Sequence, residues 1–166
     1  ATLSRIDRLI EQLGAEDFGV RERAQVELTQ AGLEAYDALH AAQSHHDPEI
    51  ALRARYLVRS MNVRWFAETD SPKVVAILKD YGELQEAERR NRIDRLAALD
   101  GRMGLAALVR LARFETSDAL AKYAALQVMQ WPLPADAAVA DMVTTIRSVA
   151  GTSSRVGAAW LRLFAR

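Results

Sequence analysis

Apolar residues return every three or four positions along almost the whole chain, and nowhere does an apolar–polar alternation of period two persist. That spacing builds amphipathic helices and leaves no strand to pair, so the fold class is read as all-α. Leu3, Ile6, Leu9, Ile10 and Leu13 form one stripe, ended by Gly14, and Val20, Ala24, Leu28 and Ala31 form the next, ended by Gly32. Leu33, Tyr36, Leu39 and Ala42 mark a third helix, and Ile50, Ala54, Leu57, Val58 and Met61 a fourth. After an irregular stretch at 62–72, a fifth helix carries Val74, Val75, Ile77, Leu78 and Tyr81 up to Gly82, and a polar sixth runs over about 84–99. Leu105, Leu108, Val109 and Ala112 mark the seventh, and Leu120, Ala124, Val128 and Met129 the eighth, stopped by Pro132 and Pro134. The last two are expected over about 136–149 and 154–165. Helices joined by short turns pair with their sequence neighbours, which predicts five antiparallel pairs.

The pairs repeat. Laying DFGVRERAQVEL (17–28) on DPEIALRARYLV (47–58) matches Asp17 with Asp47, Val20 with Ile50, Arg23 with Arg53, Ala24 with Ala54 and Leu28 with Val58. A weaker copy, SDALAKYAALQV (117–128), keeps Leu120, Ala124 and Val128 but has Tyr123 where the arginine stood. Self-similarity at this period, built from helix pairs, marks an α-solenoid. The D-x-x-[VI]-x-x-R-A pattern in DFGVRERA and DPEIALRA resembles the HEAT and HEAT-like repeats. The resemblance is good over about 1–62, recognisable at 103–131 and poor at 83–100 and 135–166. It implies a right-handed α-solenoid of about five helix pairs forming one domain over 1–166. It also implies a ladder in which the Asp and the Arg six residues on pair between adjacent repeats, here Asp17, Arg23, Asp47 and Arg53. The chain begins at Ala1 without a methionine, so a segment of a longer polypeptide is expected.

Twenty-two basic and 22 acidic residues cancel, so no global field draws the protein to nucleic acid or an anionic membrane. No apolar run approaches the roughly 20 residues of a membrane span. Without cysteine there is no disulfide, thiolate metal site or thiol nucleophile. The three histidines cluster in HAAQSHHDPEI (40–50), beside Asp47 and Glu49. An Asp followed by Pro and Glu is how a helix begins: the carboxylate accepts from free amides, the proline suits the first turn and the glutamate suits the positive end of the dipole. His45 and His46 then fall in the turn, and only His40 falls on a well-formed helix, so no metal site is assigned. Phosphate-loop, dinucleotide and nucleophile-elbow motifs are absent, and Glu83, Glu86 and Glu88 interleave with Arg89, Arg90, Arg92 and Arg95 as on a wet helix face. No catalytic residue and no cofactor are assigned.

In HEAT proteins the second helix of each pair lines the concave surface, which makes Arg55, Arg59, Arg89 and Arg92 candidates for a basic strip there. Leu52 and Tyr56, on the far side of the same helix, are expected to pack against the next unit. Trp65 and Phe66, in the irregular stretch, are expected to cover a gap between the second and third pairs, with a binding lip as the alternative. At the C-terminal end Trp160, Leu163 and Phe164 stand with Arg155, Arg162 and Arg166, an apolar terminal helix that hints either that the natural chain continues or that this end self-associates. The function expected is that of a non-catalytic scaffold presenting a curved surface to another protein. The alternative is nucleic-acid binding, as in the HEAT-like DNA glycosylases, which hold damaged duplex in a basic groove around Trp, Asp and Arg. Neutral net charge and the lack of such a cluster disfavour it.

Overall fold

The computed structural model describes residues 3–132 and 135–166. Its regular structure is all helical, with no strand among the described residues. In chain order the α-helices are α1 (Arg5–Gln12), α2 (Phe18–Ala31), α3 (Tyr36–Ala42), α4 (Pro48–Ser60), α5 (Pro72–Leu78), α6 (Glu86–Ala97), α7 (Leu105–Phe114), α8 (Asp118–Met129), α9 (Asp136–Ala150) and α10 (Val156–Phe164). Single 3-10 turns occupy Gly32–Ala35, Tyr81–Glu83 and Asp100–Arg102.

Local chemistry sets half of the α-helix starts. Ser4 and Asp7 cap α1 reciprocally, while the side chains of Asp17, Asp47, Ser71 and Ser117 accept from the opening amides of α2, α4, α5 and α8. Pro48 and Pro72 occupy first-turn positions where no amide is required. At Gly32 the backbone takes φ 57°, a left-handed value that ends α2, and the next residues wind as a 3-10 turn before α3 begins. Leu33 therefore sits on that turn, 37% exposed, and not on the buried stripe expected of it. Two further boundaries differ from expectation. Gly82 lies within the Tyr81–Glu83 turn, α5 having already ended at Leu78, and α6 begins at Glu86. The stop expected at Pro134 lies outside the described residues, and α8 ends at Met129.

The chain divides into two compact units, 1–63 and 64–166. In the first, α1 packs on α2 and α3 on α4, and the two hairpins lie side by side, with α1 meeting α3 and α2 meeting α4. Leu13, Leu28, Tyr36, Leu39 and Leu57 fill the space between them, each 2% exposed or less. Burying side chains of this size contributes roughly 1.5–3 kcal/mol apiece, enough to hold hairpins that would not persist alone.

In the second unit α6 packs against α8, α8 against α10, and α7 against both α9 and α10. The middle helix α7 is apolar nearly all round, with Leu105, Ala107, Leu108, Val109, Leu111, Ala112 and Phe114 buried, as a helix covered on several sides must be. The irregular stretch before α5 is pinned to this unit. Asp70 accepts from the Ala67 amide and from both terminal nitrogens of Arg110, and Arg110 also donates to the Trp65 carbonyl. Trp65 lies 5.0 Å from the Tyr81 ring, and Phe66 packs beside it on the core.

Candidate functional site

The repeat position six residues after the N-cap does the same work in both units. In α4 the Arg53 guanidinium donates to Glu22 Oε1 and Gln25 Oε1 of α2, each at 2.8 Å, and to Glu49 Oε1 within its own helix at 2.7 Å. These hydrogen bonds, Glu49 first and then Glu22, raise Arg53 above its ordinary pKa. In α8 the equivalent residue is Tyr123, whose hydroxyl donates to Asp94 of α6. Each side chain reaches back to the second helix of the preceding hairpin. Accepting the hydroxyl proton, Asp94 raises the phenol pKa of Tyr123.

The two aspartates of the expected ladder have a different task. Asp17 and Asp47 are N-caps, and Glu22 and Gln25 take the place that the resemblance gave to Asp17 as the partners of Arg53. Carboxylates satisfied by opening amides are drawn to the positive end of their own helix, away from the middle of the next one. Arg23 is exposed.

Shallow grooves run beside these ties. The groove of the first unit is lined by Gln25, Glu49, Leu52, Arg53 and Tyr56, and that of the second by Glu86, Ala87, Arg90, Ala119, Leu120 and Tyr123. Leu52 and Tyr56 do not pack against a neighbour as expected: each is 61% exposed. Phe18 and Val26 of α2 are 64% and 54% exposed, and with Glu22 and Gln25 they follow i, i+4, i+7 and i+8 spacing, one helix face. Leu52 and Tyr56, exposed to that degree and lining one groove, carry the usual mark of a contact surface. In the second groove the Arg90 guanidinium lies 4.4 Å from the Tyr123 ring centroid.

The four arginines proposed for a basic strip separate into two kinds. Arg55 and Arg59 are exposed, Arg55 donating to the Gln43 carbonyl. Arg89 and Arg92 turn inward: Arg89 bonds Glu115 and the carbonyls of Gly82 and Leu84, and Arg92 bonds Asp80 and the Ile77 carbonyl. A guanidinium already satisfied in this way has little left for a phosphate.

Around Glu115 lies a buried polar cluster that no sequence motif marks. Its carboxylate is fully buried, accepts from the Tyr81 hydroxyl at 2.6 Å and from Arg89 at 3.0 Å, and also from the Ser117 amide. Arg155, 5% exposed, donates to the carbonyls of Arg113 and Glu115 and to Asp118 at 2.9 Å. The loop between α7 and α8 is thus tied to α6 on one side and to the start of α10 on the other. Every group in the cluster is engaged within the fold, and its task is structural. Burial first, and then the Glu115 charge, push the Tyr81 phenol far above its ordinary value of 10.0. The folded chain therefore keeps that proton where the unfolded chain releases it, so stability must fall as pH rises past 10.0. Urea midpoints measured between about pH 9 and 11 should drop less steeply for Tyr81→Phe than for the parent. Parallel slopes would remove Tyr81 from the alkaline response.

The histidines sit as a turn and a helix start. His45 Nδ1 accepts from the Asp47 amide, its Nε2 lies 3.5 Å from Glu11 Oε1, and its ring stacks on His46 at 4.2 Å. His40 on α3 packs beside Tyr36. Among the described residues no three His, Cys, Asp or Glu side chains gather as ligands for one metal ion. At the C-terminal end Trp160 and Phe164 are half-buried against the core, Leu163 is 57% exposed, and Arg162 turns back to the Ser153 carbonyl. No described helix is long and apolar enough to cross a membrane. No family model, curated protein or solved structure gives a significant match to the chain.

Proposed function

We propose that the chain is a HEAT-like helical-repeat module, without catalysis of its own, that binds another protein through the exposed faces of its second helices. The observation that carries this reading is the exposure of Leu52 and Tyr56 on α4, beside a tie that fixes α4 to α2. A rigid backbone under exposed apolar anchors lowers the ordering cost of binding, and tyrosine supplies large contact area for few rotatable bonds. Further support comes from the pairing of consecutive helices within each unit, which is how a solenoid would be built. The inward commitment of Arg89 and Arg92 weighs against the nucleic-acid alternative.

A photo-crosslinking amino acid placed at position 56 in cells should yield a discrete protein adduct, while the same group at the exposed Arg8 on α1 should yield none. Equal labelling at the two positions, or none at 56, would remove the interaction reading.

A further inference from the structure

The exposed face of α4 is complementary to itself. Glu49, Leu52, Tyr56 and Arg59 follow each other at spacings of three, four and three, which places them on one stripe with the apolar pair in the middle and opposite charges at the ends. Pairing two such helices antiparallel, with Leu52 opposite Tyr56, brings Glu49 opposite Arg59 in the same register. A two-fold axis then makes both contacts twice. The charges needed are available. Arg59 is exposed and enters no ion pair among the described residues, and both ion pairs of Glu49 use Oε1, which leaves Oε2 outside them. This register sets Arg53 opposite Arg55 near the axis; Arg53 is already neutralised by Glu22 and Glu49, and Arg55 is directed to the Gln43 carbonyl.

We infer that the partner of this surface is a second copy of the chain, docked through antiparallel α4 helices in a two-fold dimer. This rests on the interaction reading above and names its partner. The ends of the stripe fix the register. A parallel pairing would set Glu49 against Glu49 and Arg59 against Arg59, and like charges directly opposed oppose association.

The test is sedimentation of the full 166-residue chain across a concentration series. The parent should self-associate, and Arg59→Glu and Tyr56→Asp should each weaken association by at least roughly tenfold while far-UV circular dichroism stays unchanged. Arg59→Glu and Glu49→Arg should each be monomeric alone and should form a one-to-one heterodimer when mixed, because the mixture restores both charge pairs. A merely structural role for either residue would not produce that rescue. A parent that is monomeric throughout, a dimer indifferent to both substitutions, or a mixture that stays monomeric overturns the inference. A monomeric parent whose position 56 still crosslinks to a different protein would sink the dimer alone and leave the interaction reading standing.

Discussion

Replacing Glu115 with alanine is expected to cost about 3–5 kcal/mol of unfolding free energy, the usual loss when one partner of a buried ion pair is removed. The substitution deletes the acceptor of the fully buried Tyr81 hydroxyl and the charge partner of Arg89, which keeps only the Gly82 and Leu84 carbonyls. Three hairpins feel the loss, because the loop between α7 and α8 is tied through Glu115 to α6 and carries the carbonyls that hold Arg155 at the start of α10. An effect this large is a substantial share of the roughly 5–15 kcal/mol that holds a domain folded. Urea unfolding followed by circular dichroism measures it directly. A loss below about 1 kcal/mol would mean that water reaches Tyr81 and Arg89 more easily than the burial of Glu115 implies.

The second large effect is expected at Gly157, in the first turn of α10. A methyl group there would lie 2.5 Å from the Ala112 carbonyl oxygen and 2.8 Å from that of Ala121, both of them backbone atoms. Side chains can rotate away from such a contact, but the backbones of α7 and α8 cannot. Two opposed terms compete. Alanine favours a helix over glycine by up to about 1 kcal/mol, less at a helix end. Forcing extra volume into a packed contact costs about 1–3 kcal/mol and more where main chain must move. The clash wins, and Gly157→Ala should destabilise by about 3 kcal/mol, with Gly157→Val worse. Thermal unfolding of the three proteins should rank them parent, alanine, valine, and an alanine variant as stable as the parent would show that α10 can withdraw without loss.

How far the sequence discloses the fold depends on how local the responsible physics is. The helices, and the caps at Asp17 and Asp47, follow from spacing and from side chains within three residues of the atoms they serve. Leu33 and Gly82 deceived because a single 3-10 turn differs from a turn of α-helix only in closing its hydrogen bond one residue sooner, too short a difference for periodicity to separate. Glu115 was invisible. No periodicity or motif marks it, and its partners Arg89 and Tyr81 lie 26 and 34 positions away. The candidate surface was half visible. The repeat picked out position 53 and noticed that 123 differs, and both turn out to tie second helices together. It also led to the wrong expectation for Leu52 and Tyr56, because an apolar residue on the far side of a repeat helix is usually covered and here is not.

That exposure is where fold and function part company. If Leu52 and Tyr56 serve a partner, the isolated chain should not need them. The double variant Leu52→Ser, Tyr56→Ser, unfolded in urea at a dilution low enough to keep the chain monomeric, should match the parent within about 0.5 kcal/mol. A loss above about 2 kcal/mol, the size expected for side chains packed inside the fold, would place the pair in the core and leave the second-helix face without its anchors.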